Sequence, residues 1–318
     1  MLKPLTVAYR RARLADLGVL RVQGADAIRF LQGQVSNDVE RLSPQLSLLA
    51  GVHTAQARAI ALLRLVLVGP GEILAILPRE LAAPVAARLS KFVLRAKAKV
   101  TDASAEWVVD GAEAGASADV ACEPPGATHR DESGAVWVCA GESPARWLVA
   151  TEAPSSSMPL SAPAANMEPA QQDSAREAWR ALDIAAGIPQ VYAATSEAFV
   201  AQMLNLDVIG GIAFDKGCYT GQEVIARAHY RGRVKRRMQR FRTLAAARLA
   251  IGDSGTLQDG RHFRVVDAVQ LADGRCEFLA VAPTTSSEAQ ESTPPPAASD
   301  AHAVLPAEQL PLPYALPD

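Results

Sequence analysis

One cysteine of the sequence stands in a short segment that is bracketed by glycines and opened by a lysine. Cys218 lies between Gly217 and Tyr219, Lys216 comes just before them, and Gly221 closes the segment. Glycines at this spacing let a backbone turn tightly or approach a ligand closely. Because a neighbouring cation favours the thiolate, the pattern predicts a functional thiol tuned by the lysine. The alternative is a small cysteine packed in a turn that the tyrosine fixes.

The residues around this thiol do not form a recognisable catalytic pair or metal site. No histidine comes within a few residues before Cys218, and His229 follows eleven residues later, so a Cys–His nucleophile pair does not follow from the sequence. The four cysteines lie far apart without a C-x-x-C pair, which argues against a zinc or iron–sulfur site built by this chain alone. Gln222 and Glu223 either accept hydrogen bonds from a ligand or orient the loop.

A basic segment follows the cysteine. Eight Arg and Lys residues and no Asp or Glu occur between 227 and 242, on a chain whose net charge is −2. Such a segment predicts a local anion site, and Arg231, Lys235, Arg236 and Arg237 are candidate contacts for nucleic-acid phosphates. The alternative is a solvated strand or helix face. The segment contains few aromatic residues for base stacking, namely His229, Tyr230 and Phe241.

The elements that must position these residues belong to a folded, soluble protein. The chain has 318 residues, of which 49% are hydrophobic and 21% charged, enough for two or three domains with real cores. It contains no run of about 18 uncharged apolar residues. Arginines stand near the start, where a signal peptide would need its apolar centre, so we expect a cytoplasmic protein.

Periodicity predicts an α+β fold. A strand ends at Gly24 and a helix follows Asp26. The stretch from 57 to 94 then reads as strand, strand and helix, with Pro78 at the helix start. Short antiparallel strands follow up to about residue 151. A helix is predicted from Ser174 to Gly187.

Two stretches rich in Ser, Pro and Ala interrupt this pattern. Residues 154 to 171 are expected to form a flexible loop, and residues 283 to 303 a disordered insertion. Strand-like pieces after residue 240 predict a separate β module.

Five stretches resemble the YgfZ-type folate-binding proteins, which are relatives of the glycine-cleavage aminomethyltransferase and of iron–sulfur maturation factors. They are FLQGQVSNDV (30–39), GIPQV (187–191), NLDVIGGIAFDKGCYTGQEVIAR (205–227), YRGRVKRRM (230–238) and LPYAL (312–316). The resemblance implies a ring of two α+β domains in residues 1–239 and a C-terminal β-barrel in residues 240–318. A central channel would hold tetrahydrofolate or a related folate.

The resemblance also implies roles for individual residues. Trp179 would stack on the pterin, although its place on the apolar face of a helix equally predicts packing. Arg227 and Arg231 would bind the anionic glutamate tail of the folate. The remaining candidates for the folate site are Asp38, Asn205, Gly217, Tyr219, Gly221, Gln222 and Glu223. Asp38 also reads as a helix or turn cap, and this interpretation is preferred.

The sequence departs from the family pattern at three places. Ala185 replaces a carboxylate that pairs with the pterin edge, and Leu17 replaces an aromatic residue. The family's usual Lys-Gly-basic triplet reads Gln56-Ala57-Arg58 in this chain. Because alanine stands where the family has glycine, we expect a different backbone conformation at this turn. Residues 59 to 65 contain no carboxylate, which makes aminomethyl transfer improbable.

These observations lead to one principal hypothesis and two alternatives. The principal hypothesis is a folate-binding accessory factor, non-enzymatic or weakly catalytic, that supports iron–sulfur cluster assembly or repair in client enzymes, including those that thiomethylate tRNA. Cys218 would contact the client cluster or its oxidant. The alternatives are a folate-dependent one-carbon transferase that uses Cys218 as nucleophile, and a tRNA-binding module that uses the basic segment.

Overall fold

A computed structural model describes residues 9–114, 123–153, 169–284 and 304–317 of the chain. The loop expected at 154–171 and the insertion expected at 283–303 therefore lie outside the described residues, apart from their ends. At those ends a helix begins at Pro169 and a strand runs to Pro283.

Strands dominate the described part of the chain. In chain order they are β1 (Tyr9–Arg13), β2 (Leu17–Gln23), β3 (Leu48–His53), β4 (Ala59–Gly69), β5 (Glu72–Pro78), β6 (Lys99–Asp102), β7 (Trp107–Ala114), β8 (Thr128–Arg130), β9 (Val136–Glu142), β10 (Ala145–Glu152), β11 (Arg236–Thr243), β12 (Ser254–Leu257), β13 (His262–Gln270), β14 (Cys276–Pro283), β15 (Val304–Leu305) and β16 (Ala307–Leu310). The α-helices are α1 (Ala27–Gln32), α2 (Arg79–Ser90), α3 (Pro169–Ala185) and α4 (Gln222–Arg231). No helix among the described residues is long and apolar enough to cross a membrane.

The predicted α+β elements are confirmed. Strand β2 ends just before Gly24, and α1 begins just after Asp26. Strands β4 and β5 and helix α2 reproduce the strand–strand–helix unit, with Pro78 at the cap of α2. Helix α3 begins five residues earlier than expected, and Gly187 follows its end with φ +65°, a conformation that glycine adopts without strain.

The chain divides into two compact units. The first comprises residues 1–32, 38–50 and 63–179, and the second comprises residues 33–37, 51–62 and 180–318. The predicted domain boundary after residue 239 stays a prediction.

The first unit is built on antiparallel strand pairs. One sheet has the order β1-β7-β10-β9-β8. In a second sheet, β5 pairs with β4 on one side and β2 on the other, and β2 also pairs with β6. The core includes Val19, Leu74, Ile76, Trp107 and Trp179. The buried tryptophans therefore belong to the packing of this unit.

The second unit contains a six-stranded sheet with the order β15-β12-β13-β14-β11-β16. All pairs are antiparallel except β12 with β15. Phe241 on β11 stands opposite Phe278 on β14, and their ring centres lie 5.5 Å apart with Phe263 beside them. This aromatic core fixes β11, the strand that continues the basic segment.

Candidate functional site

The loop that carries Cys218 is anchored by Lys216, and the contacts that hold this loop lie within the second unit. The Nζ atom of Lys216 donates to the backbone carbonyl oxygens of Val35 and Asn37, at 2.8 Å each. It also lies 5.0 Å from the ring centre of Tyr219, a buried residue whose pKa is raised by burial to about 12. The lysine thus ties the loop to the segment 33–37; its role in tuning the thiol stays a prediction.

The segment that receives the lysine is itself fixed. The Ser36 hydroxyl donates to the carbonyl of Gly211 at 2.6 Å and accepts from the N–H of Gly51 at 2.8 Å. The Asn37 side chain donates to the carbonyl of Gly210 at 2.8 Å. The start of the loop is therefore held by backbone-directed hydrogen bonds, which are specific in geometry.

The two glycines of the loop have different roles. Gly221 has φ +86°, and a Cβ atom there would lie 2.5 Å from the carbonyl oxygen of Thr54 and 3.2 Å from Cα of Ala57. At Gly217, which is exposed, a Cβ atom would meet no atom of the described residues within 4 Å, apart from those of its two chain neighbours. Gly221 is needed for close backbone packing, whereas Gly217 leaves open space beside the cysteine.

The turn at Ala57, against which Gly221 packs, has a backbone conformation that glycine usually adopts. Ala57 has φ +62° and is fully buried, and its N–H donates to the carbonyl of Thr54 at 2.9 Å. The expectation that alanine would reshape this backbone is therefore wrong. The buried packing around Ala57 holds it in the left-handed region, where a Cβ atom costs about 1–2 kcal/mol.

Cys218 is exposed, which excludes the alternative of a cysteine buried in a turn. Cys139 and Cys276 are buried, and burial raises the pKa of Cys276. Cys122 lies outside the described residues. Among the cysteines that the structure describes, Cys218 is therefore the one that solvent and partners reach.

The first turn of α4 completes the loop. The Gln222 side chain donates to the carbonyl of Lys216 at 3.3 Å and so helps to orient the loop, while a contact of this residue with a ligand stays a prediction. Glu223 accepts from Arg227 at 3.1 Å, and both side chains are exposed. Arg231 is exposed at the end of the same helix.

Asp38 and Asn205 both act in local backbone structure. The Asp38 carboxylate accepts from the N–H of Glu40 at 3.2 Å, which confirms the predicted cap. Asn205 has φ +57°, and its amide nitrogen donates to the carbonyl of Met238 at 2.9 Å. Its Oδ1 atom is buried without a hydrogen-bond partner among the described residues. A role of either residue toward folate stays a prediction.

Trp179 is packed in the core of the first unit. The residue is 7% exposed, and its ring lies 5.0 Å from the guanidinium of buried Arg146. The ring also fills the space that a side chain at Gly111 would need. Leu17 packs against the same core cluster. This geometry supports the packing interpretation, and the stacking role stays a prediction.

The basic segment divides into an exposed part and a buried part. The side chains of Arg227, Arg231, Arg233 and Lys235 are exposed, whereas β11 begins at Arg236, whose pKa is lowered by burial. Arg237 is 4% exposed. It forms a bidentate ion pair with Asp207 at 3.0 and 2.9 Å and donates to the carbonyl of Gln202. The predicted tRNA contact through Arg237 is therefore wrong.

An aromatic cluster at α4 was not predicted from the sequence. The ring of Phe214 stacks on His229, with centres 3.8 Å apart and planes 17° apart. Tyr230 meets both rings edge-on, at 6.1 and 4.7 Å. Phe214 stands fifteen residues before His229, so no periodic pattern connects them. Phe241, which was considered with these aromatics, is buried in the sheet core.

Two buried titratable groups of the second unit were also not anticipated. His53 is 1% exposed with no hydrogen-bond partner of ordinary geometry among the described residues, and burial lowers its pKa to about 4. Asp267 accepts from the Tyr192 hydroxyl at 3.0 Å and pairs with Arg180 at 2.9 Å. Burial raises the pKa of Asp267 to about 6. Neither group carries a sequence motif.

No group of three or more His, Cys, Asp or Glu side chains that could hold a metal ion occurs in the described ranges.

The comparisons with known proteins first define the class of fold. The structure is similar to that of glycine cleavage system aminomethyltransferase T from Bartonella henselae, with a TM-score of 0.64 over 87% of this chain and 79% of that chain. Sequence identity is 13%, so this likeness shows the fold alone. The fold is α+β and aminomethyltransferase-like, as predicted.

The sequence relatives then define the family. The chain is 32% identical over 276 residues to the tRNA-modifying protein YgfZ of Yersinia pseudotuberculosis serotype O:1b (strain IP 31758), covering 84% of this chain and 82% of the relative. It is 33% identical over 273 residues to the tRNA-modifying protein YgfZ of Escherichia coli O157:H7, covering 82% of each. No family model matches the chain. The chain belongs to the YgfZ family, which confirms the resemblance in its sequence.

Proposed function

We propose that this protein is a folate-binding accessory factor in tRNA modification and that it acts through the Cys218 thiol on iron–sulfur enzymes. The tRNA context comes from the relatives, which are named tRNA-modifying proteins. The observation that carries the role of the thiol is its exposure on a loop that is fixed at both ends.

The fixed loop gives the thiol a defined position. Lys216 holds the start of the loop through two carbonyl oxygens, and Gly221 packs its end against Thr54. The open space at Gly217 leaves the side of the cysteine accessible. A thiolate in such a place can ligate an iron atom of a client cluster, or it can be oxidised in place of the cluster.

Folate binding is the part of the proposal that rests on the family resemblance. The exposed side chains of Arg227 and Arg231 fit the anionic glutamate tail of a folate. Trp179 does not present an open face to a pterin, because Gly111 and Arg146 cover its ring in the first unit. Ala185 supplies no carboxylate for the pterin edge. The two exposed arginines therefore support folate binding, whereas the packed position of Trp179 does not.

Calorimetric titration with tetrahydrofolate under anaerobic conditions tests this part. We expect binding by the wild-type protein and by Cys218→Ala. Because Trp179 is packed, the folded fraction of Trp179→Ala should also bind, and loss of binding by that folded fraction would instead support the stacking role. Because removing a buried tryptophan costs about 3–5 kcal/mol, the folded fraction of that variant must be measured, with Trp179→Phe as the milder change. Absence of binding by the wild-type protein would refute folate binding and leave the thiol role standing.

Recovery of a damaged client cluster tests the role of the thiol. The client is a tRNA-thiomethylating iron–sulfur enzyme that has been exposed to oxidant. Ferrous iron, sulfide and a dithiol reductant are added equally to all samples, and the cluster absorbance of the client is followed with and without this protein. We expect recovery with the wild-type protein and with Arg248→Gln, an exposed surface change far along the chain from the loop. Cys218→Ser should give the rate seen without the protein; recovery at the wild-type rate would refute the thiol role.

A further inference from the structure

The aromatic cluster at α4 is open to solvent. Tyr230 is 68% exposed, and His229 is exposed beside it, while Phe214 lies beneath the two with its ring stacked on the imidazole. At this exposure a partner can reach most of the tyrosine ring, while Phe214 and His229 contact it edge-on. The second unit therefore displays an exposed aromatic ring that two neighbouring rings support.

Three cationic side chains follow Tyr230 in the sequence and, like it, are exposed. Arg231, Arg233 and Lys235 follow Tyr230 at the next alternate positions, and each is exposed. No Asp or Glu occurs between residues 224 and 242. The exposed surface after Tyr230 therefore combines an aromatic ring with three positive charges and no carboxylate from its own segment.

Single-stranded nucleic acid is the partner whose chemistry matches this combination. Bases of unpaired strands stack on exposed aromatic rings, and cations bind the phosphates between them. Double-stranded RNA does not offer its base faces, because they are stacked within the helix. The carboxylates of an acidic protein would complement the three cations, but they would not stack on the exposed ring of Tyr230.

We propose that this cluster and the three cations that follow it bind an unpaired stretch of RNA, with one base stacked on Tyr230. The inference rests on the proposed role in tRNA modification, because tRNA loops and ends supply such unpaired bases. Phe214 and Cys218 are four residues apart, so their Cα atoms are separated by at most about 14 Å. RNA bound at the cluster would therefore lie near the thiol loop.

The test is fluorescence anisotropy with a labelled single-stranded RNA of about 12 nucleotides, which matches the usual site sizes. The same strand annealed to its complement serves as the duplex probe. The variants are Tyr230→Ala, Tyr230→Phe and Arg233→Gln. The matched controls are Leu244→Ala and Arg248→Gln, an exposed apolar side chain and an exposed arginine of the same unit.

Each variant has its own expected result. Tyr230→Ala should raise the Kd about tenfold or more and leave the salt dependence unchanged, because stacking involves no counterion release. Tyr230→Phe should bind within about twofold of wild type, since the ring remains. Arg233→Gln should lower the slope of log K against log salt by about 0.7, the value for one phosphate contact on a single strand. The two controls should bind as wild type.

Three results would overturn the inference. They are an absence of RNA binding by the wild-type protein at low salt, equal or tighter binding of the duplex, and wild-type affinity of Tyr230→Ala. If Tyr230→Ala binds the RNA as wild type does but weakens a complex with the client enzyme in a separate binding measurement, the surface binds protein and not RNA. The assay contains neither folate nor client cluster, so its failure leaves the tetrahydrofolate and cluster-recovery results unaffected, and their failure leaves this result unaffected.

Discussion

The different packing of the two loop glycines gives a sharp test of how the cysteine is positioned. Substitution of Gly221 by alanine places a Cβ atom 2.5 Å from the carbonyl oxygen of Thr54, at a φ of +86°. The left-handed conformation costs about 1–2 kcal/mol with a Cβ atom, and the forced backbone shift about 1–3 kcal/mol. Reduced freedom of the unfolded chain offsets about 0.4–1 kcal/mol. We therefore expect a loss of about 1–4.5 kcal/mol in the free energy of unfolding.

Gly217→Ala is the matched control. Among the residues that the structure describes, only the chain neighbours of Gly217 come within 4 Å of its Cβ position, and its φ lies outside the left-handed region. The stability of the variant should therefore stay within about 0.5 kcal/mol of wild type. If Gly217→Ala nevertheless impairs cluster recovery, a partner approaches the backbone there.

The assay must report on the second unit. All four tryptophans, Trp107, Trp137, Trp147 and Trp179, belong to the first unit, so tryptophan fluorescence would miss the change. Urea unfolding followed by far-ultraviolet circular dichroism gives the overall stability, and amide hydrogen exchange of peptides from 51–62 and 215–231 gives the local effect. Equal exchange in wild type and Gly221→Ala would refute the packing role of this glycine.

Three further predictions concern buried polar groups of the second unit. Arg237→Met should cost about 3–5 kcal/mol by leaving Asp207 buried and unpaired, and adding Asp207→Leu should restore most of it; urea unfolding that shows no such rescue would contradict the ion-pair account. Burial lowers the pKa of His53 to about 4 in the folded state, whereas in the unfolded state it is about 6.5. As the pH falls from about 6.5 to 4, the imidazole is therefore protonated in the unfolded state before the folded state, and the free energy of unfolding decreases over this range. His53→Phe should flatten that part of the pH profile, and an unchanged profile would exclude this residue as the cause. Tyr314→Phe should cost about 1–3 kcal/mol in thermal or urea unfolding, since its hydroxyl donates to the carbonyl of Gly187 at 2.7 Å; a neutral effect would show that this bond is replaceable by water.

Features set by a few neighbouring residues were predictable from the sequence. Asp38 caps the short helix Val39–Arg41 because its carboxylate reaches an N–H two residues on. Pro78 precedes α2 and Gly187 follows α3 for equally local reasons, since each backbone conformation suits its residue type. The α+β class followed from the same local patterns.

Features set by distant partners were not predictable. Lys235 and Arg237 are two residues apart in one basic run, yet the second is buried because Asp207 stands thirty residues before it. Ala57 keeps a glycine conformation because of the packing around its turn, which the triplet itself does not encode. The stacking of Phe214 on His229 likewise depends on the path of the loop 215–221, which connects Phe214 to α4.

The measurement that tests the central claim most directly is the content of 2-methylthio nucleosides in tRNA. The host is a bacterial strain that lacks its own YgfZ relative and expresses this chain as wild type, Cys218→Ser or Arg248→Gln at equal levels. The account predicts that wild type and Arg248→Gln restore the modified nucleosides and that Cys218→Ser does not. Full restoration by Cys218→Ser would contradict a role for the exposed thiol in tRNA modification.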